Sequence, residues 1–108
     1  MNIYVVTVIK LSYKTSHKGK QYLTIEDSRT PYFYKKFKDA IDCLIEDGKI
    51  LSEYGYYKWA VIEKTREGPY PFPQEELWFK WKGGVNNGQY TATKKPKVFK
   101  KIVCFGIG

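Results

Sequence analysis

Phe37-Lys-Asp-Ala-Ile-Asp-Cys-Leu-Ile-Glu-Asp-Gly48 decides the fold, because it is the one stretch of the chain with a clear helical period. Phe37, Ala40, Ile41, Leu44 and Ile45 recur at i, i+3, i+4, i+7 and i+8, the apolar stripe of a helix that faces a core. Asp39, Asp42, Glu46 and Asp47 fall on the solvent side, and Cys43 lies near the edge of the stripe. Gly48 stands where a C′ residue ends a helix.

The segments on either side read as strand. Residues 3–13 are β-branched and aromatic, with Ile3, Val5, Thr7, Ile9 and Leu11 on one face and Tyr4, Val6 and Val8 on the other. A strand apolar on both faces is central or covered. Lys14–Lys20 is a turn with Gly19 suited to positive φ, and residues 21–26 return as a second strand, making a hairpin with a basic tip. Downstream, residues 56–65 alternate Tyr57, Trp59, Val61 and Glu63 against Lys58, Ala60, Ile62 and Lys64. Three prolines within residues 67–73 make an extended connector. Residues 76–82 are a strand with Leu77, Phe79 and Trp81 on one face and Trp78, Lys80 and Lys82 on the other. Gly83–Gly88 is a turn and Gln89–Thr93 its partner strand.

The order β-β-α-β-β-β predicts an α+β fold, a single domain over residues 1–108. An antiparallel or mixed sheet of about four to five strands carries one helix on one face. The apolar tail 102–108 is expected to dock on the body, since left open it would be an exposed hydrophobic patch. A chain of 108 residues is long enough to bury a core without staples. Cys43 and Cys104 read as reduced thiols and, with no signal segment or apolar run of membrane-spanning length, point to a cytoplasmic protein, the host cell's cytoplasm if phage-encoded.

The charge is uneven. Of 19 basic residues 17 are lysine, and the net charge is +8. Residues 1–25 carry four lysines and no acid, residues 80–108 seven lysines and no acid, while the middle is mildly acidic. Such ends attract anionic partners without naming them. Lysine also lacks the bidentate fork that arginine offers to phosphates and bases, and an AT-rich genome alone produces lysine bias.

Motifs for chemistry are missing. The single histidine, His17, sits in the basic turn, and one His with two distant Cys cannot assemble a zinc site, so no cofactor or metal is expected. Glu26-Asp27 and Glu75-Glu76 are neighbours on strands and point to opposite faces, so neither is a dyad. Glu63, inside an apolar strand, reads as an acid bridged to a lysine on a sheet face; an enzyme would have to rest on it or on a tyrosine alone. Gly83–Gly88 lacks the Lys-Ser/Thr and following helix of a phosphate loop. The chain is therefore read as non-enzymatic. Lysines beside aromatics are the ingredients of nucleotide and single-strand sites, which selects Trp78, Lys80, Lys82, Tyr90, Lys94, Lys95, Lys97, Lys100 and Lys101 as ligand-binding residues.

Tyr57-Lys-Trp-Ala-Val-Ile-Glu63, Gly68-Pro-Tyr-Pro71, Trp78-Phe-Lys-Trp81 and Phe105-Gly-Ile-Gly108 together resemble a family of small uncharacterised proteins from low-GC Gram-positive bacteria and their phages. The resemblance covers about the C-terminal half and implies no activity and no site residues. It does imply a setting, that of a phage or mobile-element accessory factor that inhibits host antiviral defence by binding a host protein or sequestering an anionic nucleotide. The alternative is a protein that binds RNA or single-stranded DNA. Homodimerisation is compatible with either, and a membrane partner is not expected.

Overall fold

A computed structural model describes residues 2–66, 75–85 and 87–96. The elements run β1 (Asn2–Thr15), β2 (Gln21–Tyr34), α1 (Phe37–Glu46), α2 (Gly48–Leu51), β3 (Trp59–Arg66), β4 (Glu75–Lys82) and β5 (Gln89–Thr93). The strands form one sheet in the order β2-β1-β3-β4-β5, and every neighbouring pair is antiparallel. The α+β expectation holds, and the choice between antiparallel and mixed falls to antiparallel for these strands. The single-helix order does not hold, because α2 follows α1 directly. Four residues are too few to show a period, so nothing in the sequence separated α2 from a loop. The connector 67–73, the tail 102–108 and the resemblance segments 68–71 and 105–108 lie outside the described residues.

β1 is apolar on both faces because it is flanked on both sides and buried on both: Val5 through Ile9 are all buried. On one face Val6, Val8, Ala60, Ile62, Phe79, Trp81 and Tyr90 pack against Ala40 and Leu44 of α1 and against Tyr57. On the far face Ile9, Val61 and Trp78 form a second cluster with the half-buried Leu11, Ile25 and Trp59. The stripe on α1 is narrower than its period suggests. Ala40, Cys43 and Leu44 are buried, while Phe37 and Ile45 sit exposed on its rims. Gly48 also differs in purpose. It is not a left-handed cap but the buried start of α2, where a Cβ would come within 3.2 Å of the Tyr90 ring.

β2 runs eight residues past the expected strand end at residue 26. Asp27, Ser28 and Pro31 are local strand breakers, yet pairing with β1 carries the strand through them with register shifts between Val6 and Val8 and between Lys10 and Leu11. Among the described strands β2 lies at the sheet edge, where a residue without a backbone N–H is tolerated.

Tyr57 precedes β3 and does not share a face with Trp59 as strict alternation requires. It ends a turn in which Glu53, Tyr54 and Gly55 all have positive φ, of 50°, 60° and 93°. The turn is held by the buried Ser52, whose hydroxyl donates to the Lys49 carbonyl and accepts from the Gly55 amide, and whose carbonyl accepts from the Tyr57 amide. Tyr57 is thereby directed under the helices. Its hydroxyl donates to Asp27 on β2 at 2.7 Å, while the Tyr90 hydroxyl donates to the Tyr57 carbonyl at 2.6 Å. β2, the turn before β3 and β5 are linked through two buried phenols.

Burial, and next the hydrogen bond to Asp27, push the Tyr57 phenol up to about 12; burial likewise raises Tyr90. A tyrosine in the unfolded chain ionises near 10, so the stabilisation from these neutral phenols is complete below pH 10 and is lost as pH rises through the folded value. Urea midpoints are therefore expected to fall between pH 10 and about 12, and Tyr57→Phe should flatten that fall. An equally steep alkaline loss in the variant would rule Tyr57 out as a contributor.

Candidate functional site

Register places the basic groups. Trp59 lies opposite Ile9 on one side and Lys80 on the other, and Lys82 lies opposite Gln89. Among the described strands, β1 continues six residues beyond Ile9 to Thr15 paired with β2 alone. At about 3.3 Å per residue this two-stranded arm extends roughly 20 Å past the rest of the sheet. Its tip is a tight turn: the Ser16 amide donates to the Lys20 carbonyl at 2.8 Å, the Gly19 amide to the Ser16 carbonyl at 3.0 Å, and Gly19 has φ 77°.

Lys14, Lys18, Lys20, Lys80 and Lys82 are all exposed at this end of the sheet. Lys80 and Lys82 lie on the far face, with the Lys80 ammonium 5.0 Å from the centre of the Trp59 ring. Tyr13, 69% exposed, follows Leu11 along the same face of the arm, opposite Leu23. An apolar strip thus runs from the far-face cluster through Leu11 and Ile25 to Tyr13, with Lys80 and Lys82 on the same face at its root and Lys18 and Lys20 in the turn beyond its end.

Lys10, at the root of the arm, is already engaged. It pairs with Glu26 at 2.8 Å and lies over the Tyr56 ring at 4.1 Å. The hydrogen bond to Glu26 raises its pKa. It anchors the arm rather than offering a charge.

The residues selected from sequence do not all come together. Trp78 is 3% exposed and belongs to the far-face cluster, so its ring is no stacking platform. Its indole N–H donates to Glu76 at 3.1 Å, and Glu76 also pairs with Lys95 at 3.0 Å. Trp78 and Lys95 therefore form a structural link, with Lys95 already paired. Tyr90 lies across the hairpin from Trp81, as expected of a partner strand, but on the helix side and buried at 5%. Lys94 and Lys95 follow Thr93, which pairs with Trp78, about four residues along β4 from Lys82 and away from the arm. Lys97, Lys100 and Lys101 lie outside the described residues. Lys80 and Lys82 stay in the site. Tyr13, Trp59 and the tip lysines were not selected, although the acid-free run of residues 1–25 and the basic hairpin tip were visible.

Other groups are occupied or inert. Glu63 is buried on the far face and partnered. Cys43 is an unbridged buried thiol, and burial raises its pKa, which keeps it protonated and a poor nucleophile. Among the described residues no three His, Cys, Asp or Glu groups are arranged to hold a metal ion, and no helix is long and apolar enough to cross a membrane. Two clefts hold about 150 Å³ each, one beside Tyr4, Phe37 and Lys64, the other beside Arg29, Tyr32 and Ile50. Enclosed ligand sites are larger, about 300 Å³ or more. No family model, curated protein or solved structure matches the chain.

Proposed function

We propose that this is a non-enzymatic binding protein that takes an anionic partner on the arm end of its sheet. The observation that carries the reading is the convergence of Lys14, Lys18 and Lys20 with Lys80 and Lys82 at one end, from two sequence segments that contain no acid between residues 1 and 25 or 80 and 96. The two clefts among the described residues are small, which favours an extended partner laid on an open surface over a small nucleotide enclosed in either of them. The setting suggested by the resemblance extends the proposal to a phage or mobile-element factor in the host cytoplasm that occupies a component of antiviral defence.

Charge reversal tests the reading. The protein with Lys18→Glu, Lys20→Glu, Lys80→Glu and Lys82→Glu, all at exposed positions, should fold normally and lose at least a hundredfold in affinity for heparin, an open polyanion. A matched reversal of Lys35, Lys36, Lys38 and Lys49, also exposed and distant from the arm in the chain, should lose far less. Equal losses from the two variants would mean that the net charge acts without a site.

A further inference from the structure

We infer that the partner is single-stranded nucleic acid, with one base stacked on Tyr13, a second at Trp59, and its phosphates met by Lys80 and Lys82 near Trp59 and by the tip lysines Lys18 and Lys20 beyond Tyr13. The inference rests on the anionic-partner reading and names its occupant. The far face of the arm offers flat rings beside ammonium groups, the combination that suits unpaired bases on a charged backbone. Tyr13 lies four residues beyond Ile9, the β1 residue that pairs with Trp59. At about 3.3 Å per residue the two rings stand roughly 13 Å apart along the strand, room for a short run of nucleotides.

An acidic protein surface would use the lysines, whereas unpaired bases on a charged backbone use the lysines and the flat faces of both rings together. A duplex keeps its bases stacked inside, so a ring on a strand face finds no base plane there. Helix α1 is unsuited to entering a groove, since it presents Asp39, Asp42 and Glu46 to solvent. Lys80 adds a simple exchange. Its ammonium rests over the Trp59 ring in the unbound protein, a contact worth about 0.5–1 kcal/mol at exposed sites. A base arriving on that ring displaces the ammonium, which then meets the adjoining phosphate.

The test uses the full chain and a labelled twelve-residue oligothymidylate, with a duplex of the same length and poly-glutamate as competitors, over a salt series. Wild-type protein should prefer the single strand, and its tryptophan fluorescence should be quenched on binding. Tyr13→Ala, at an exposed position, should weaken binding about tenfold at every salt concentration and leave the salt slope unchanged. Lys80→Ala with Lys82→Ala should make the log–log slope shallower by about 1.4, two phosphates at about 0.7 each.

A duplex bound as tightly as the single strand, or a Tyr13→Ala protein that binds like wild type, overturns the inference. If the lysine pair still lowers the slope in that case, the anionic-partner reading survives. Poly-glutamate bound in preference to oligothymidylate overturns the inference alone and transfers the site to an acidic protein. Failure to bind any of the three polyanions at low salt removes both.

Discussion

Trp81→Ala is expected to cost about 3–5 kcal/mol, the range for deleting a buried tryptophan. The ring is 5% exposed and meets Tyr90 edge-on at 5.3 Å. Its surroundings explain why the void would not collapse. Three glycines surround the indole: a Cβ on Gly55 or Gly88 would lie 3.0 or 2.4 Å from its atoms, closer than side chains pack, and one on Gly48 would lie in ordinary contact at 3.8 Å. None of the three has a side chain that could swing into the space. Against a typical total of about 5–15 kcal/mol, the loss leaves a protein near its folding threshold. Urea denaturation of Trp81→Ala beside Lys82→Ala, its exposed neighbour, measures the effect. The lysine variant should stay within about 0.5 kcal/mol of wild type. A Trp81→Ala loss below about 1.5 kcal/mol would show that the helices settle into the space.

Gly88→Ala should cost about 1–3 kcal/mol although it adds only one methyl group. The added carbon would sit 2.4 Å from the Trp81 indole, far inside van der Waals contact. The obstacle is a rigid buried ring held between sheet and helices, not the end of a flexible side chain, so the β4–β5 turn must move instead. That turn has little slack: the Gly88 amide donates to the Gly84 carbonyl at 2.9 Å, and the Gly84 amide to Asn87 Oδ1 at 2.8 Å. The cause predicts a coupling. In the Trp81→Ala background the obstacle is gone, so Gly88→Ala should become nearly neutral, with an interaction energy of about 1–2 kcal/mol in a double-mutant cycle. Strictly additive losses would place the cost of Gly88→Ala in the turn backbone.

Both effects bear on the site. Trp81 lies between Lys80 and Lys82, and its burial on the helix side is what turns those two lysines to the far face. A variant that loosens Trp81 should therefore weaken anion binding as well as stability, whereas Tyr13→Ala should weaken binding alone.

The period of α1 and the alternation of β1 and β4 were legible because each is a local rule that one face of an element imposes on its own residues. The hairpin turn was legible for the same reason, although pairing with β2 carries the strand on through Lys14 and Thr15 and the turn begins at Ser16. What escaped was set by pairing partners. Asp27, Ser28 and Pro31 each argue against strand locally, and only the long register with β1 overrides them. Trp78 and Tyr90 looked alike as aromatics on strands beside lysines, but they lie on opposite faces, and both faces of this sheet are buried there. Residue type does not reveal how much of a ring is covered.

Sequence by itself determined the α+β class, the helix, the acid-free basic segments and the pairing of Trp78, Lys80 and Lys82 on one strand face. Those follow from composition and from periods of 3.6 and 2, which are properties of a single segment. Only the tertiary structure decided which aromatics are reachable and which lysines are neighbours. β1 outruns β3 by six residues, so a hairpin that reads as an ordinary turn becomes a projecting arm. The antiparallel order then brings the ends of β4 and β1 to the same side, joining lysines some sixty positions apart. Charge is written along the chain, but a charged surface depends on distances that only the folded sheet sets.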